Sequence, residues 1–378
     1  MARYCFITGF LRSGTTLVEK LAHALPGACV GPQPFPFLYY DTKRAFLRAR
    51  GIEEARYPLG HLFGEDRYRP EDFAEFLSGF RLTREAVAAS FAAMRGYSGW
   101  QLPAMADRAR QVGEGAFAEV FRALCDGLPS ILGRNADRLL GAKEVFCEEF
   151  VPYFLREGIS VVLVLRDVRD VLASLKFGRG GSYGDPGLPL LHIVRQWRKS
   201  VAFALEFAEA PGFVVVRYEK LVASAQRELD RLATALGCPP AAVGAAADLR
   251  DQDGRSWRGN SSFAPVRGVS SDPVGRFAST LPATWVAAVE SLCAPEMAAI
   301  GLEPSGESRG ADMADTLGRI AQETNVAGPT VALTLEIDAE RQRACMLARG
   351  DASDADQRRW FIFPRAFQRL ARSGPIAL

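Results

Sequence analysis

A short loop near the N-terminus carries the strongest chemical signal in this chain. Gly9-Phe-Leu-Arg-Ser-Gly-Thr-Thr16 has the outline G-x-x-x-x-G-x-T. It follows the apolar run Tyr4–Thr8, which reads as a buried strand. It precedes Leu17, Val18, Leu21, Ala22 and Leu25 at helical spacing, closed by Pro26 and Gly27. Strand, glycine-bounded loop and helix make the setting of a phosphate-binding loop. In such a loop successive backbone N–H groups wrap an anion, and the helix N-terminus adds partial positive charge. Gly14 permits close backbone approach, and Thr15 and Thr16 offer hydroxyls. A nucleotide triphosphatase has lysine where this chain has Thr15; here the cation is Arg12, inside the loop.

A second constellation follows the clearest strand, Ser160–Leu165 (SVVLVL). Arg166 leaves its carboxyl end, where open α/β sheets bind ligands. Ser174 falls in the first turns of the helix that comes next. A guanidinium and a hydroxyl at this separation can converge on one phosphate. Asp167, Arg169 and Asp170 between them read as a surface charge cluster, with Arg169 pairing with either aspartate.

These segments together resemble a known family. LRSGTTLVEKL is similar to the 5′-phosphosulfate loop of sulfotransferases that use PAPS (3′-phosphoadenosine-5′-phosphosulfate). The resemblance implies that Arg12, Ser13, Gly14, Thr15 and Thr16 hold the donor's 5′-phosphosulfate, and that Arg166 and Ser174 hold its 3′-phosphate. Val214–Gly237 resembles the family segment that delivers a tyrosine, here Tyr218, toward the adenine. Asn260–Phe263 resembles an element that contacts the nucleotide, which implies Ser261, Ser262 and Phe263, the last able to stack on adenine. Arg267-Gly268 and Val274–Phe277 resemble the loop that folds over the donor. Leu11, Leu17 and Val168 depart from the Pro, Trp and Pro common there. Lys143 aligns with the family lysine between donor and acceptor. The histidine base of cytosolic members is Val145 here. Glycan-modifying members use a glutamate, so the resemblance makes Glu144 the candidate base, with Glu148, Glu149, His61 and His192 as rivals. It implies PAPS as donor, PAP (3′-phosphoadenosine-5′-phosphate) as product, no required metal, and a small-molecule, lipid or glycan acceptor. It spans residues 3–302.

The elements that must position these groups alternate strand and helix. That order predicts an α/β fold, a P-loop-like central parallel sheet flanked by helices. Residues 1–302 are expected to form the sulfotransferase domain. Residues 40–140 read as a mainly helical insertion on the acceptor side, and 303–378 as a C-terminal extension. The segment GPQPFPFLYY reads as an irregular crossing, Thr330–Ile337 as strand-like, and Ala283–Ile300 as a helix.

Composition narrows the partners. With 46 Lys and Arg against 44 Asp and Glu, the net charge of +2 provides no bulk field for nucleic acid or an anionic membrane. The seven cysteines include no CxxC pair, which argues against a zinc site or a disulfide framework and for a reducing cytoplasm. No apolar stretch is long enough to span a bilayer, and the N-terminus does not read as a signal peptide. Two other functions fit the loop. One is a P-loop kinase or NTPase, with Asp167 as its Mg²⁺ carboxylate. The other is a non-catalytic nucleotide-binding relative.

Overall fold

A computed structural model describes residues 2–53, 58–97, 99–178, 189–251, 253–259, 263, 268–305 and 330–372. Five strands make one wholly parallel sheet: β1 (Arg3–Gly9), β2 (Ala28–Pro32), β3 (Leu139–Lys143), β4 (Ser160–Leu165) and β5 (Phe213–Arg217), in the order β2-β3-β1-β4-β5. The expected α/β class is the observed one.

The strands are apolar on both faces because both faces are covered. Phe6, Val161, Leu163, Leu165 and Val215 join one core cluster. Their neighbours at alternate positions, Cys5, Ile7, Val162, Val164, Val214 and Val216, join the other. This is the period-two alternation of a pleated strand, here with two dry sides. The second face is closed by the helices Thr15–His23 and Ala225–Leu236, the latter ended by Gly237 at φ 68°. The first face carries an aromatic core in which Phe6, Tyr39, Phe117, Phe121, Phe150 and Phe154 meet at centroid distances of 4.8–6.4 Å. Such offset and edge contacts bury large areas in specific geometry. Several rings on this face come from the helical stretch that includes Pro70–Gly79, Arg84–Ala93 and Phe117–Cys125.

Three expectations need correction, and one helix comes in addition. The proline-rich crossing is regular: β2 runs to Pro32 and a helix spans Pro36–Ala49. Pro36 sits in its first turn, where the missing N–H costs nothing. The strand-like Thr330–Ile337 begins a helix, Thr330–Arg349. The alternation there is brief, and the following Ala-Glu-Arg-Gln-Arg-Ala-Cys-Met-Leu-Ala-Arg is rich in helix formers. Asp167, Arg169 and Asp170 are buried, not on the surface. Arg169 pairs with Asp167 at 2.7 Å and with Glu290 at 2.5 Å. Finally, a helix that the sequence pattern does not announce spans Leu190–Phe207. Arg195, Arg198 and Lys199 interrupt its apolar pattern, yet all three are buried in ion pairs.

Two of those pairs hold the C-terminal segment. Glu340 of the helix Thr330–Arg349 accepts from Arg195 at 2.9 Å and Arg198 at 2.6 Å. Phe363 packs on Phe203 at 5.0 Å between centroids, so these last helices cover the outer side of Leu190–Phe207. Among the described residues no helix is long and apolar enough to cross a membrane. All seven cysteines are unbridged, and only Cys345 is exposed.

Candidate active site

The loop after β1 is shaped by two glycines. Gly9 has φ 149°, and a Cβ there would strike the backbone carbonyl of Val164 on β4. Gly14 has φ 94° and starts the helix Thr15–His23 with no side-chain cap. The first N–H groups of that helix are therefore left for another acceptor. A Cβ on Gly14 would collide with the Tyr218 ring, so this glycine also packs the loop on the element after β5. Gly14→Ala should lose about 1–3 kcal/mol from overpacking, with left-handed backbone strain added, measurable by urea denaturation; unchanged stability would refute this packing role.

Between the glycines, Arg12 holds the left-handed region at φ 65°. Few non-glycine residues do so, and those that do are over-determined by their surroundings. The Arg12 Nε donates to Ser174 Oγ at 3.0 Å. The Arg12 carbonyl accepts from Arg166 Nη1 at 3.1 Å. The loop cation is thus joined to both members of the second constellation. Ser13 is buried, its N–H donating to Phe10 O at 3.2 Å, and Thr15 is buried at the helix start.

Arg166 leaves β4 and is fixed on several sides. Trp197 Nε1 donates to its carbonyl at 2.7 Å. Its Nη2 donates to Pro273 O at 2.6 Å, and its guanidinium lies 4.5 Å over the Tyr218 ring. Asp170 accepts from the N–H groups of Gly275 and Phe277, at 2.8 and 2.9 Å. Arg166 and Asp170 therefore both latch the 268–277 segment over the site. Arg276 of that segment stacks 4.7 Å over Phe263. Asp167 is engaged elsewhere, accepting from Arg169 Nε at 3.0 Å, Nη2 at 2.7 Å and N–H at 2.8 Å. The Asp167 carboxylate, the candidate Mg²⁺ ligand of a kinase, is thus ion-paired with Arg169.

The opposite wall is the end of β3. Lys143 and Glu144 are both buried. The Glu144 N–H donates to Ile7 O at 2.9 Å, which extends the ladder past the strand. Glu144 Oε1 accepts from Val145 N–H at 3.0 Å and Gln33 Nε2 at 3.1 Å, while Oε2 is buried without a partner among the described residues. Burial pushes the Glu144 carboxyl up to about 7, against the pull of Lys143, the Val145 N–H, Gln33 and Lys43. Burial likewise lowers Lys143, opposed by Glu144 and Glu19. A carboxyl poised near neutrality and a cation beside it are what proton abstraction next to a charged donor requires.

Both walls face one cavity of about 1090 Å³, lined by Arg12, Gly14, Thr15, Thr16, Lys143, Glu144, Arg166, Ser174, Tyr218, Phe263 and Gly268 among others. Ser261, Ser262 and Arg267 lie outside the described residues. Pro36, Phe37, Tyr40, Tyr97 and Phe146 add apolar and aromatic surface to the lining. The rival bases do not line it. Glu148 and Glu149 pair with Lys199 at 3.1 Å, and Glu149 also pairs with Lys43. Burial lowers His61 to about 3 and His192 to about 4. Lys20, Gln33, Gln101 and Arg276 line the cavity as well. Lys20 follows Thr16 by one turn on the same helix, a legible signal. Gln33 stands in a proline-rich stretch and gives no sequence signal of its role.

No family model matches this chain. No curated protein matches it. Among solved structures it is similar to a sulfotransferase domain from the curacin biosynthetic pathway, at 17% identity and a TM-score of 0.39, covering 87% of this chain and 99% of that one. It is also similar to a sulfotransferase domain from the Synechococcus PCC 7002 olefin synthase, at 16% identity and a TM-score of 0.34, covering 87% of this chain and 96% of that one. Likeness at this level leaves the functional reading to the site itself.

Proposed function

We propose that this protein is a cytoplasmic sulfotransferase that moves the sulfuryl group of PAPS to a hydroxyl or amine of an acceptor, giving PAP and a sulfated product. The observation that carries the proposal is the junction of two anion-binding constellations in one cavity. Arg12 of the loop reaches Ser174 at 3.0 Å, and Arg166 reaches the carbonyl of Arg12 at 3.1 Å. A donor with phosphates at both ends of its ribose asks for two cationic sites at such short range. On this reading the loop from Arg12 to Thr16 receives the 5′-phosphosulfate, and Arg166 with Ser174 the 3′-phosphate. Tyr218, Phe263 and Gly268 line the nucleoside, and Ser261, Ser262 and Arg267 are assigned to the same end by sequence.

In the proposed reaction Glu144 Oε2 accepts the proton of the acceptor O–H or N–H. The acceptor atom bonds to sulfur from the side opposite the leaving oxygen. The S–O bond to the 5′-phosphate breaks, and its electron pair stays on PAP. Arg12 and the loop N–H groups stabilise the charge that gathers there, and Lys143 lies between the two reactants. No step is assigned to a metal. The aromatic end of the cavity suits an acceptor with an apolar body, whether small molecule, lipid or glycan.

Differential scanning fluorimetry tests the donor site. PAP should raise the midpoint well above that with ADP at equal concentration, because a ligand that engages Arg166 and Ser174 binds the native state more tightly. Equal shifts with the two nucleotides would remove the 3′-phosphate assignment. Production of ADP from ATP and Mg²⁺, with no PAP from PAPS, would establish the kinase reading instead.

A further inference from the structure

We propose that Gln33 is a positioning residue whose amide stands between Lys143 and Glu144 and keeps the two from closing into an ion pair; this rests on the reading of Glu144 as the base. β2 pairs with β3 so that Pro32 lies opposite Lys143, and the Gln33 N–H donates to Lys143 O at 3.0 Å. The sheet register thus delivers Gln33 to the strand end that carries both charged groups. Its backbone is held in the left-handed region, at φ 43°, which signals a conformation imposed by the surroundings.

The direction of the amide follows from chemistry. Lys143 Nζ can only donate, and the group it meets at 3.0 Å is therefore the Gln33 oxygen. A second donor, Gln101 Nε2, reaches the same oxygen at 3.1 Å. The Gln33 NH₂ must then face Glu144 Oε1, at 3.1 Å. Among the described residues no ion pair within 4.0 Å joins Lys143 to Glu144, although they are chain neighbours buried in one cavity wall. Each finds its hydrogen bond on the intervening amide.

The consequence is chemical. A buried carboxylate in direct contact with an ammonium is held ionised and is a poor base. An amide donor satisfies one oxygen without neutralising the charge, and leaves Oε2 for the acceptor proton. The other groups near Glu144 are Lys43 and Tyr39 on the helix Pro36–Ala49, Tyr97 from the insertion, and Cys147. Arg12, Glu19 and Lys20 act on Lys143 from beyond it. Among the described residues only the Gln33 amide bridges the pair.

Infrared difference titration of wild type against Glu144→Gln reads the Glu144 carboxyl directly, without donor or acceptor. In Gln33→Met the midpoint should fall by about 1–3 pH units, the effect of a newly formed ion pair. In a Lys143→Met background the same substitution should no longer lower it. Gln33→Leu serves if Gln33→Met does not fold. With PAPS and an acceptor, the acid limb of turnover should move down by the same amount. A midpoint unchanged or raised in Gln33→Met would overturn the proposal. The base reading fails separately, if Glu144→Gln keeps full turnover; the spacer role would then survive on the titration alone.

Discussion

Glu144→Gln is expected to cut turnover by about 10²–10⁴-fold, the usual span for loss of a general base, while PAP affinity stays near wild type. The substitution keeps the size of the side chain and the contacts of one end, and it removes only the ionisable oxygen. That oxygen, Oε2, is buried without a partner among the described residues. Because burial raises the carboxyl to about 7, the base is protonated in acid and active above neutrality. Turnover should therefore rise tenfold per pH unit below about 7 and level off above it, and Glu144→Gln should abolish that limb. The linkage to stability has the opposite sense. A carboxyl raised by folding contributes most below its ordinary value, and that contribution is lost as pH rises through about 7. The Gln variant should consequently gain stability relative to wild type between about pH 5 and 8, as followed by thermal denaturation. Normal turnover in Glu144→Gln would move the base elsewhere. Lys143→Met should also slow the reaction, by removing the cation beside the transferred group.

Arg12→Ala and Arg166→Ala should fail in different ways. On the proposed reading Arg12 faces the phosphate that gains charge as the S–O bond breaks, so its loss should lower kcat by about 10²–10³-fold with a smaller change in donor KM. On the same reading Arg166 grips a phosphate that does not react, so its loss should raise donor KM by about 10–100-fold, the worth of a charge-assisted hydrogen bond. The structure adds a second consequence for Arg166. It ties the Arg12 carbonyl and Pro273 O across the cavity mouth, at 3.1 and 2.6 Å. Arg166→Lys keeps the charge but cannot span both, and should recover only part of the affinity. Steady-state kinetics with varied PAPS separates the cases. A KM-only defect in both alanine variants would deny Arg12 its transition-state role.

The side of the cavity proposed to hold the donor is legible in the sequence because it is local. Gly9, Arg12, Gly14 and the two threonines sit in one loop, and strand-then-helix patterning is enough to place that loop at the carboxyl end of a sheet. The same holds for Arg166 and Ser174, one strand end and one helix start. Charges at buried positions mislead for a matching reason. Arg169 reads as solvated in sequence, since its second partner Glu290 lies far along the chain, and the burial of Arg195, Arg198 and Lys199 rests likewise on the distant Glu340 and Glu149.

Residue order alone thus dictates the features whose neighbours are chain neighbours: the sheet class, the Gly9–Gly14 loop and the Arg166–Ser174 segment. Packing in three dimensions dictates which groups meet across strands. The β2–β3 register brings Gln33 to Lys143 and Glu144, and the β1–β4 pairing sets Arg12 against Ser174. Glu148 and Glu149 are close to Glu144 in sequence and are kept from the cavity by packing, because their side chains turn into the core and end on Lys43, Lys199 and Ser200. Protonation follows the same division. A carboxyl takes its ordinary value from its own chemistry, and only the desolvation and partners assembled by folding move Glu144 to where it can exchange a proton near neutral pH.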